Sequence, residues 1–205
     1  VVAIWLPEKN GLLGYFYNWL ITKEKLDELN IQINSVSDKC KGNMVGFKTT
    51  PIDKVKVGLI GIGNRGKTLI QMFDWLIENE KAEIVALCDL DGKNIDYALN
   101  HLKDKQSLIP KTYANGENDW ENVAKLEEVD LLLIATPWEW HTPMAIFGME
   151  NGKHVASEVP IAYTLEDCVK IVKTAERTKK HCIMIENCCY NREELWIMNM
   201  IQEGV

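Results

Sequence analysis

Residues 55–66 read VKVGLIGIGNRG, and this stretch determines the fold that the sequence predicts. Val55–Ile60 is an apolar run of strand length. Gly61, Gly63 and Gly66 then give the spacing G-x-G-x-x-G directly before a segment of helical periodicity. Such a turn is typical of dinucleotide-binding domains, in which the glycines allow a tight turn and close approach of a pyrophosphate to a helix N-terminus. We favour this interpretation over a glycine-rich turn without a ligand.

The rest of the chain repeats the alternation of apolar runs and helical segments. Apolar runs predict strands at Val55–Ile60, Ile84–Cys88, Leu131–Ala135, His154–Ser157 and Cys182–Ile185. Between these strands, two groups of apolar residues each recur at helical spacing. The first is Leu69, Met72, Phe73, Leu76 and Ile77, and the second is Ile95, Ala98, Leu99 and Leu102. Thr164 and Asp167 have the spacing of a capping box before a helix whose expected buried face is Leu165, Cys168, Val169 and Val172. The alternation predicts an α/β fold, a doubly wound parallel sheet of the Rossmann type with ligands at the carboxyl ends of its strands.

Asp89 ends the second predicted strand, 23 residues after Gly66. An acidic residue about 20 residues after the glycine motif accepts hydrogen bonds from the adenosine ribose in dinucleotide-binding domains. Its carboxylate would repel the 2′-phosphate of NADP, and no arginine follows in Leu90-Asp91-Gly92 to bind that phosphate. We therefore expect the cofactor to be NAD. The alternative is that Asp89 only begins the turn before the next helix.

Composition and charge exclude several classes of partner. The net charge of −7 is spread over 205 residues without a basic run, so nucleic acid and anionic lipid surfaces are disfavoured and a small-molecule partner is expected. The longest apolar stretch, Val129–Pro137, is shorter than the about 20 residues of a membrane span. The six cysteines show no C-x-x-C spacing, so no metal site is predicted. Cysteines within apolar runs fit a reducing compartment, and we expect a cytoplasmic protein. No intact signal peptide opens the chain, although a signal removed earlier would leave the same sequence.

Three regions follow from these patterns. Residues 1–52 lack the alternation and are predicted to be an N-terminal extension, with an aromatic cluster and a short helix that Thr22 could cap. Residues 53–190 form the predicted dinucleotide-binding domain. Residues 191–205 are predicted to be a linker helix, opened by a capping box of Asn191 and Glu194.

Two segments at predicted strand ends carry a family resemblance. Pro137-Trp138-Glu139-Trp140-His141 follows the third predicted strand, and Glu186-Asn187-Cys188-Cys189-Tyr190 follows the fifth, with Met198-Asn199-Met200 further on. Together they resemble glycoside hydrolase family 109, the NAD-dependent α-N-acetylgalactosaminidases, within the glucose-fructose oxidoreductase and inositol dehydrogenase superfamily. The similarity runs from about Val55 to the end of the chain.

The resemblance implies a set of site residues beyond the glycine motif. By this resemblance, the residues expected to contact NAD are Asn64, Arg65, Asp89, Trp138, Glu139, Trp140, His141, Glu158, Val159 and Asn187. The resemblance also implies that Tyr190 is the base that removes the C2 proton of the sugar. On the residues alone, packing is the favoured explanation for Trp138 and Trp140, and a helix cap is the favoured explanation for His141. The implied reaction is redox-neutral: oxidation at C3 by NAD, deprotonation at C2, elimination, addition of water and re-reduction. No pair of catalytic carboxylates is then needed.

Two departures from the family bear on the reaction. Pro160 stands where the family has serine, as in the Glu-Lys-Pro of the superfamily's dehydrogenases, but the dehydrogenases' lysine is Val159 here. The substrate domain of the family would follow Val205, so we expect a fragment that binds NAD without turning over a sugar or glycoside by itself. A sugar or polyol dehydrogenase and a non-catalytic NAD-binding module are the two alternatives. The sequence does not determine which sugar is bound or whether the chain forms a homo-oligomer.

Overall fold

The computed structural model describes residues 44, 46–186, 188 and 191–204. Numbered within these residues, the strands are β1 (Val55–Ile60), β2 (Ala82–Cys88), β3 (Lys111–Tyr113), β4 (Leu131–Ile134), β5 (His154–Ser157) and β6 (Cys182–Met184). The α-helices are α1 (Asn64–Met72), α2 (Asp74–Glu78), α3 (Gly92–Leu102), α4 (Trp120–Lys125), α5 (His141–Glu150), α6 (Leu165–Thr178) and α7 (Arg192–Gln202), and a 3₁₀ turn (Trp138–Trp140) precedes α5.

The strands form one six-stranded sheet in the order β3-β2-β1-β4-β5-β6, and every neighbouring pair is parallel. The chain runs outward in one direction from β1 to β3 and in the other from β4 to β6. β1 and β4 are therefore neighbours at the point where the order reverses, which is where open α/β sheets bind ligands. Ile60 pairs with both Cys88 and Ile134, so β1, β2 and β4 end together. The predicted fold class is confirmed.

Helices cover both faces of the sheet. Residues of α1, α2 and α3, among them Leu69, Ile70, Ile77, Ile95 and Leu102, pack against one face. Residues of α4, α5 and α6, among them Trp120, Val123, Met144, Met149 and Ile171, pack against the other. Burial on both faces explains the apolar residues at the centres of β1, β2, β4 and β5. Met44 also packs against the second of these cores, and the Phe47 ring lies 5.2 Å from that of His181.

Two elements were not predicted from the sequence. β3 has three residues, of which Lys111 and Thr112 are exposed, so it shows neither an apolar run nor a clear alternation. α4 has six residues and follows a polar turn. Elements this short contain too few apolar residues to establish a period.

Two predicted helix faces need correction. The segment from Leu69 to Ile77 was expected to be one helix, but it breaks at Phe73, whose N–H is shared between the carbonyls of Leu69 and Ile70. The break turns Met72 outward, where it is 59% exposed. In α6, Thr164 caps the helix as predicted by accepting from the Asp167 N–H.

The buried face of α6 differs from the predicted one. It consists of Ile171, Thr174 and Ala175, whereas Leu165, Cys168, Val169 and Val172 are only half-buried. α7 begins after Asn191 as expected, but the Asn191 side chain makes no capping hydrogen bond, so the predicted capping box is wrong. Among the helices of the described ranges, none is long and apolar enough to cross a bilayer. The helix proposed after Thr22 lies outside those ranges.

Candidate functional site

The turn after β1 depends on two of its glycines for its shape. Gly61 has a φ of +88°, and a Cβ there would lie 2.7 Å from the carbonyl carbon and oxygen of Ala135. A Cβ at Gly66 would overlap the carbonyl oxygen of Gly61. Backbone atoms cannot yield as a flexible side chain can, so both positions need glycine for packing alone.

Gly63 differs from the other two glycines. Its φ of −66° suits any residue, and no atom of the described residues lies within 4 Å of a Cβ placed there. It is also the N-cap of α1 and offers no side chain to the helix N-terminus. The first turn of a helix leaves N–H groups without intrahelical partners, and these favour an anion. The space over Gly63 is therefore suited to a phosphate.

Asp89 organises the turns at the ends of β1 and β2. One carboxylate oxygen accepts from the Ile62 N–H at 2.6 Å, and the other accepts from the Asp91 N–H at 2.8 Å and from Nδ2 of Asn94 at 3.1 Å. The role as a turn residue is therefore present in the structure. A carboxylate has about four acceptor positions, so one remains for a ribose hydroxyl. The two interpretations of Asp89 are compatible.

A cavity of about 330 Å³ lies at the carboxyl ends of β1, β2 and β4. Four of the residues expected from the sequence line it: Gly61, Gly63, Asp89 and Trp140. Sequence reasoning missed several others, namely Leu90, Asn94, Gly116, Glu117, Trp120, Thr136 and Met144. Leu90 and Asn94 follow Asp89 closely and could have been found from that position. Gly116, Glu117 and Trp120 follow β3, which has no signal in the sequence.

Burial and, to a smaller extent, the nearby carboxylates of Asp119 and Asp89 together raise the pKa of the Cys88 thiol, which lines the cavity, to about 12. A thiol with this pKa stays neutral at physiological pH and is a poor nucleophile. Cys88 therefore contributes apolar surface to the cavity wall, as expected from its place in an apolar run.

The Trp-Glu-Trp-His segment splits into cavity, surface and core positions. Trp140 lines the cavity and lies edge-on to Trp120, with ring centroids 6.4 Å apart. Trp138 is 56% exposed and packs on Tyr163, and Glu139 is exposed. His141 is fully buried as the first residue of α5. Of the four residues, only Trp140 reaches the cavity in the described structure.

Arg65 and Glu158 form an ion pair between α1 and the segment after β5. Nε of Arg65 lies 2.6 Å from Oε1 of Glu158, and the Glu158 side chain is 9% exposed, against 34% for Arg65. The pair places a guanidinium beside the helix N-terminus. Val159 follows and is half-buried, and Asn64 is exposed at the start of α1. Asn187 and Tyr190 lie outside the described residues.

Comparison with known proteins identifies relatives of the same domain. Residues 55–186 match the model of the GFO/IDH/MocA oxidoreductase family, described as an NAD-binding Rossmann fold. A glycosyl hydrolase family 109 protein of Shewanella baltica is 40% identical over 179 residues, which cover 86% of this chain and 38% of that protein. One of Shewanella putrefaciens is 41% identical over 174 residues, or 84% and 37%. The chain thus spans less than half the length of these relatives.

Solved structures share the architecture at lower identity. The WlbA dehydrogenase of Chromobacterium violaceum, solved with NADH and UDP-GlcNAcA, has a TM-score of 0.62 at 23% identity, covering 76% of this chain and 42% of that one. The scyllo-inositol dehydrogenase of Lactobacillus casei, solved with NAD(H) and scyllo-inositol, has a TM-score of 0.63 at 17% identity, covering 74% and 42%. At these identities the similarity shows the fold alone. With its glycine turn, strand order and the matched residues 55–186, the chain belongs to the oxidoreductase family that has an NAD-binding Rossmann fold.

Proposed function

We propose that NAD lies in the cavity at the ends of β1, β2 and β4, with its pyrophosphate over Gly63 and its adenosine ribose against Asp89. The observation that carries this position is the open space at Gly63, because neither its φ nor its packing requires glycine there. The helix N-terminus and the guanidinium of Arg65 would offset the negative charge of the pyrophosphate.

The segments after β4 and β5 would receive the nicotinamide half. A dinucleotide crosses the crevice from one half of the sheet to the other, and Asp89 marks the adenosine side. Trp140 would close the cavity wall, and Glu158 would hold Arg65 in place through their ion pair. Trp138, Glu139, Asn64, Val159 and Asn187 complete the proposed set of cofactor contacts, on the strength of the family resemblance.

The proposed reaction of the whole protein is redox-neutral hydrolysis of a glycoside, as in α-N-acetylgalactosaminidases. The support is the 40% identity to proteins named glycosyl hydrolase family 109, together with Val159 in place of a lysine. When bound, NAD would accept a hydride from C3 of the sugar and return it at the end of the cycle. Val159 carries no ionisable group, so it cannot act as an acid or base. In this proposal Tyr190 removes the C2 proton.

An assay of a protein that contains this chain and its substrate domain tests the proposal. The substrate is an aryl α-N-acetylgalactosaminide, and release of the aryl alcohol and absorbance of NADH are followed together. Hydrolysis without accumulation of NADH is expected, and NAD should remain bound through purification because each cycle regenerates it. NADH formed in step with oxidation of a free sugar would instead establish a dehydrogenase.

The matched control for this assay is Gly63→Ala, which keeps the fold but occupies the space proposed for the pyrophosphate. In this variant both the affinity for NAD and the rate of aryl release should decrease. Undiminished release by a variant that no longer binds NAD would show that the hydrolysis does not use the cofactor.

A further inference from the structure

His141 makes two hydrogen-bonding contacts at once, although it touches no cavity surface. Nδ1 lies 2.8 Å from the carbonyl oxygen of Pro160, and Nε2 lies 2.8 Å from the carbonyl oxygen of Thr136. The side chain is 0% exposed. In the described structure this ring therefore cannot contact a bound molecule directly. Both of its nitrogens point at backbone carbonyl oxygens.

Both partners of the ring are acceptors. A carbonyl oxygen cannot donate, so both contacts are hydrogen bonds only when both ring nitrogens carry a proton. A neutral imidazole would direct a nitrogen lone pair at one of the two oxygens. Whichever tautomer is present, one ring N–H donates to a carbonyl oxygen, and the ring lies between the two carbonyl groups.

The two carbonyls belong to the loops that leave β4 and β5, which are neighbouring strands. Thr136 lines the cavity directly, and Pro160 closely follows Glu158, the partner of Arg65. Thr142, the next residue of α5, also links this helix to the loop after β5, because its Oγ1 donates a hydrogen bond to the carbonyl oxygen of Ile161 at 2.8 Å. The N-terminus of α5 therefore fixes the spacing of these two loops.

We infer that His141 is a positioning residue for the nicotinamide half of the cofactor, because its ring links the loops after β4 and β5. This inference rests on the proposed position of NAD. The adenosine half lies over β1 and β2, whose turns are held by hydrogen bonds to Asp89 rather than to His141. Loss of the tie should therefore affect the two halves of the dinucleotide unequally.

Binding titrations with NAD and with ADP, which carries only the adenosine half and the phosphates, test this separation. In His141→Gln a single amide nitrogen replaces two ring nitrogens that point at different carbonyls, so the side chain cannot hold both carbonyls in place. We expect NAD binding to weaken by about tenfold, because loss of one partner of a buried hydrogen bond is costly, and ADP binding to change by less than about twofold. Thr142→Val should show the same selectivity with a smaller loss for NAD.

His101→Gln is the matched control. His101 pairs with Asp74 at 2.8 Å in the helical layer, outside the cavity lining. It should leave binding of both nucleotides unchanged. Equal weakening of NAD and ADP in His141→Gln would indicate a purely structural role and overturn the inference, as would unchanged binding of both.

A measurement on the unaltered protein keeps the inference testable if His141→Gln does not fold. Nitrogen-15 NMR of the histidine rings, under the conditions of the titrations, should show the His141 signals shift when NAD is added and stay in place when ADP is added. Equal shifts with both nucleotides would overturn the inference, as would no shift with either. If the unaltered protein bound neither NAD nor ADP, the failure would lie with the proposed cofactor position rather than with His141.

Discussion

The glycine turn gives two substitutions of the same kind with opposite expected results. Gly63→Ala adds a methyl group to open space, whereas Gly66→Ala drives the same methyl group into the carbonyl oxygen of Gly61. Gly66→Ala should therefore destabilise the domain, and Gly63→Ala should leave it folded but impair the nucleotide site.

The magnitudes follow from the geometry. Overpacking against backbone costs about 1–3 kcal/mol, and about 1 kcal/mol shifts the melting temperature of a domain this size by about 2–4 °C. Because the clash is with backbone, we expect the upper end of this range, so Gly66→Ala should lower Tm by about 6–12 °C. At Gly63, alanine is a poorer N-cap than glycine but restricts the unfolded chain, so the two effects nearly cancel and Tm should stay within about 3 °C.

The assay is thermal unfolding with and without NAD. A ligand at about 100 times its Kd stabilises a protein by about 2.7 kcal/mol, so saturating NAD should raise the Tm of the unaltered protein by several degrees. Gly63→Ala should lose about half of this rise or more, in line with binding weakened by about tenfold or more, which is about 1.4 kcal/mol or more. A full NAD-induced rise in Gly63→Ala would refute the proposed pyrophosphate position. Equal Tm values for the two variants would refute the packing argument at Gly66.

Three further predictions concern other groups of the site. Asp89→Asn places an amide N–H₂ where a carboxylate oxygen now accepts from a backbone N–H, so it should lower the free energy of unfolding by about 1–3 kcal/mol. In direct titrations this variant should also have a smaller ratio between its Kd values for NADP and NAD. Tighter binding of NADP than of NAD by the unaltered protein would contradict the role of Asp89. Tyr190→Phe, in a protein with its substrate domain, should lower kcat by about 10²-fold or more and abolish deuterium exchange at C2 with NAD binding nearly unchanged; normal exchange would remove Tyr190 from the mechanism. Because burial raises the pKa of Cys88 to about 12, its thiol should resist iodoacetamide in the folded protein at pH below that value, whereas exposed Cys188 reacts; peptide mass spectrometry measures both, and rapid labelling of Cys88 would show that it is not buried.

The raised pKa of Cys88 also gives a sign for stability against pH. The folded state keeps the thiol protonated up to about 12, whereas the unfolded thiol loses its proton near 9.0. The unfolded state therefore binds fewer protons between these values, and the contribution of Cys88 to the free energy of unfolding is lost as pH rises through this window.

The strands that sequence patterns predicted best are the central ones, whose apolar residues are mostly buried. β1 has the predicted bounds because its apolar residues end at a glycine turn, and β5 has them because buried Val155 and Ala156 lie at its centre. β3 escaped prediction because it is an edge strand with exposed Lys111 and Thr112, held mainly by its ladder with β2. Its alignment depends on contacts distant in sequence, which no local period records.

The site residues that could be predicted from the sequence are those whose residue type is required by one local physical constraint. Gly61, Gly63 and Asp89 line the cavity as expected, since their spacing follows from the strand–turn–helix unit. Trp120 was not found because its position depends on the short α4 reaching the ends of β2 and β4. His141 was expected to contact NAD, yet the structure places it among backbone carbonyls, and the sequence holds no signal for which carbonyls fold back onto α5.

A crystal structure of this chain with NAD tests the central claim most directly. The account predicts the pyrophosphate within hydrogen-bonding distance of the backbone N–H groups at the start of α1, above Gly63, with the adenosine ribose at the carboxylate of Asp89. It also predicts the nicotinamide ring beside the loops after β4 and β5. A nucleotide bound away from Gly63, or one with its adenosine over β5, would contradict the account.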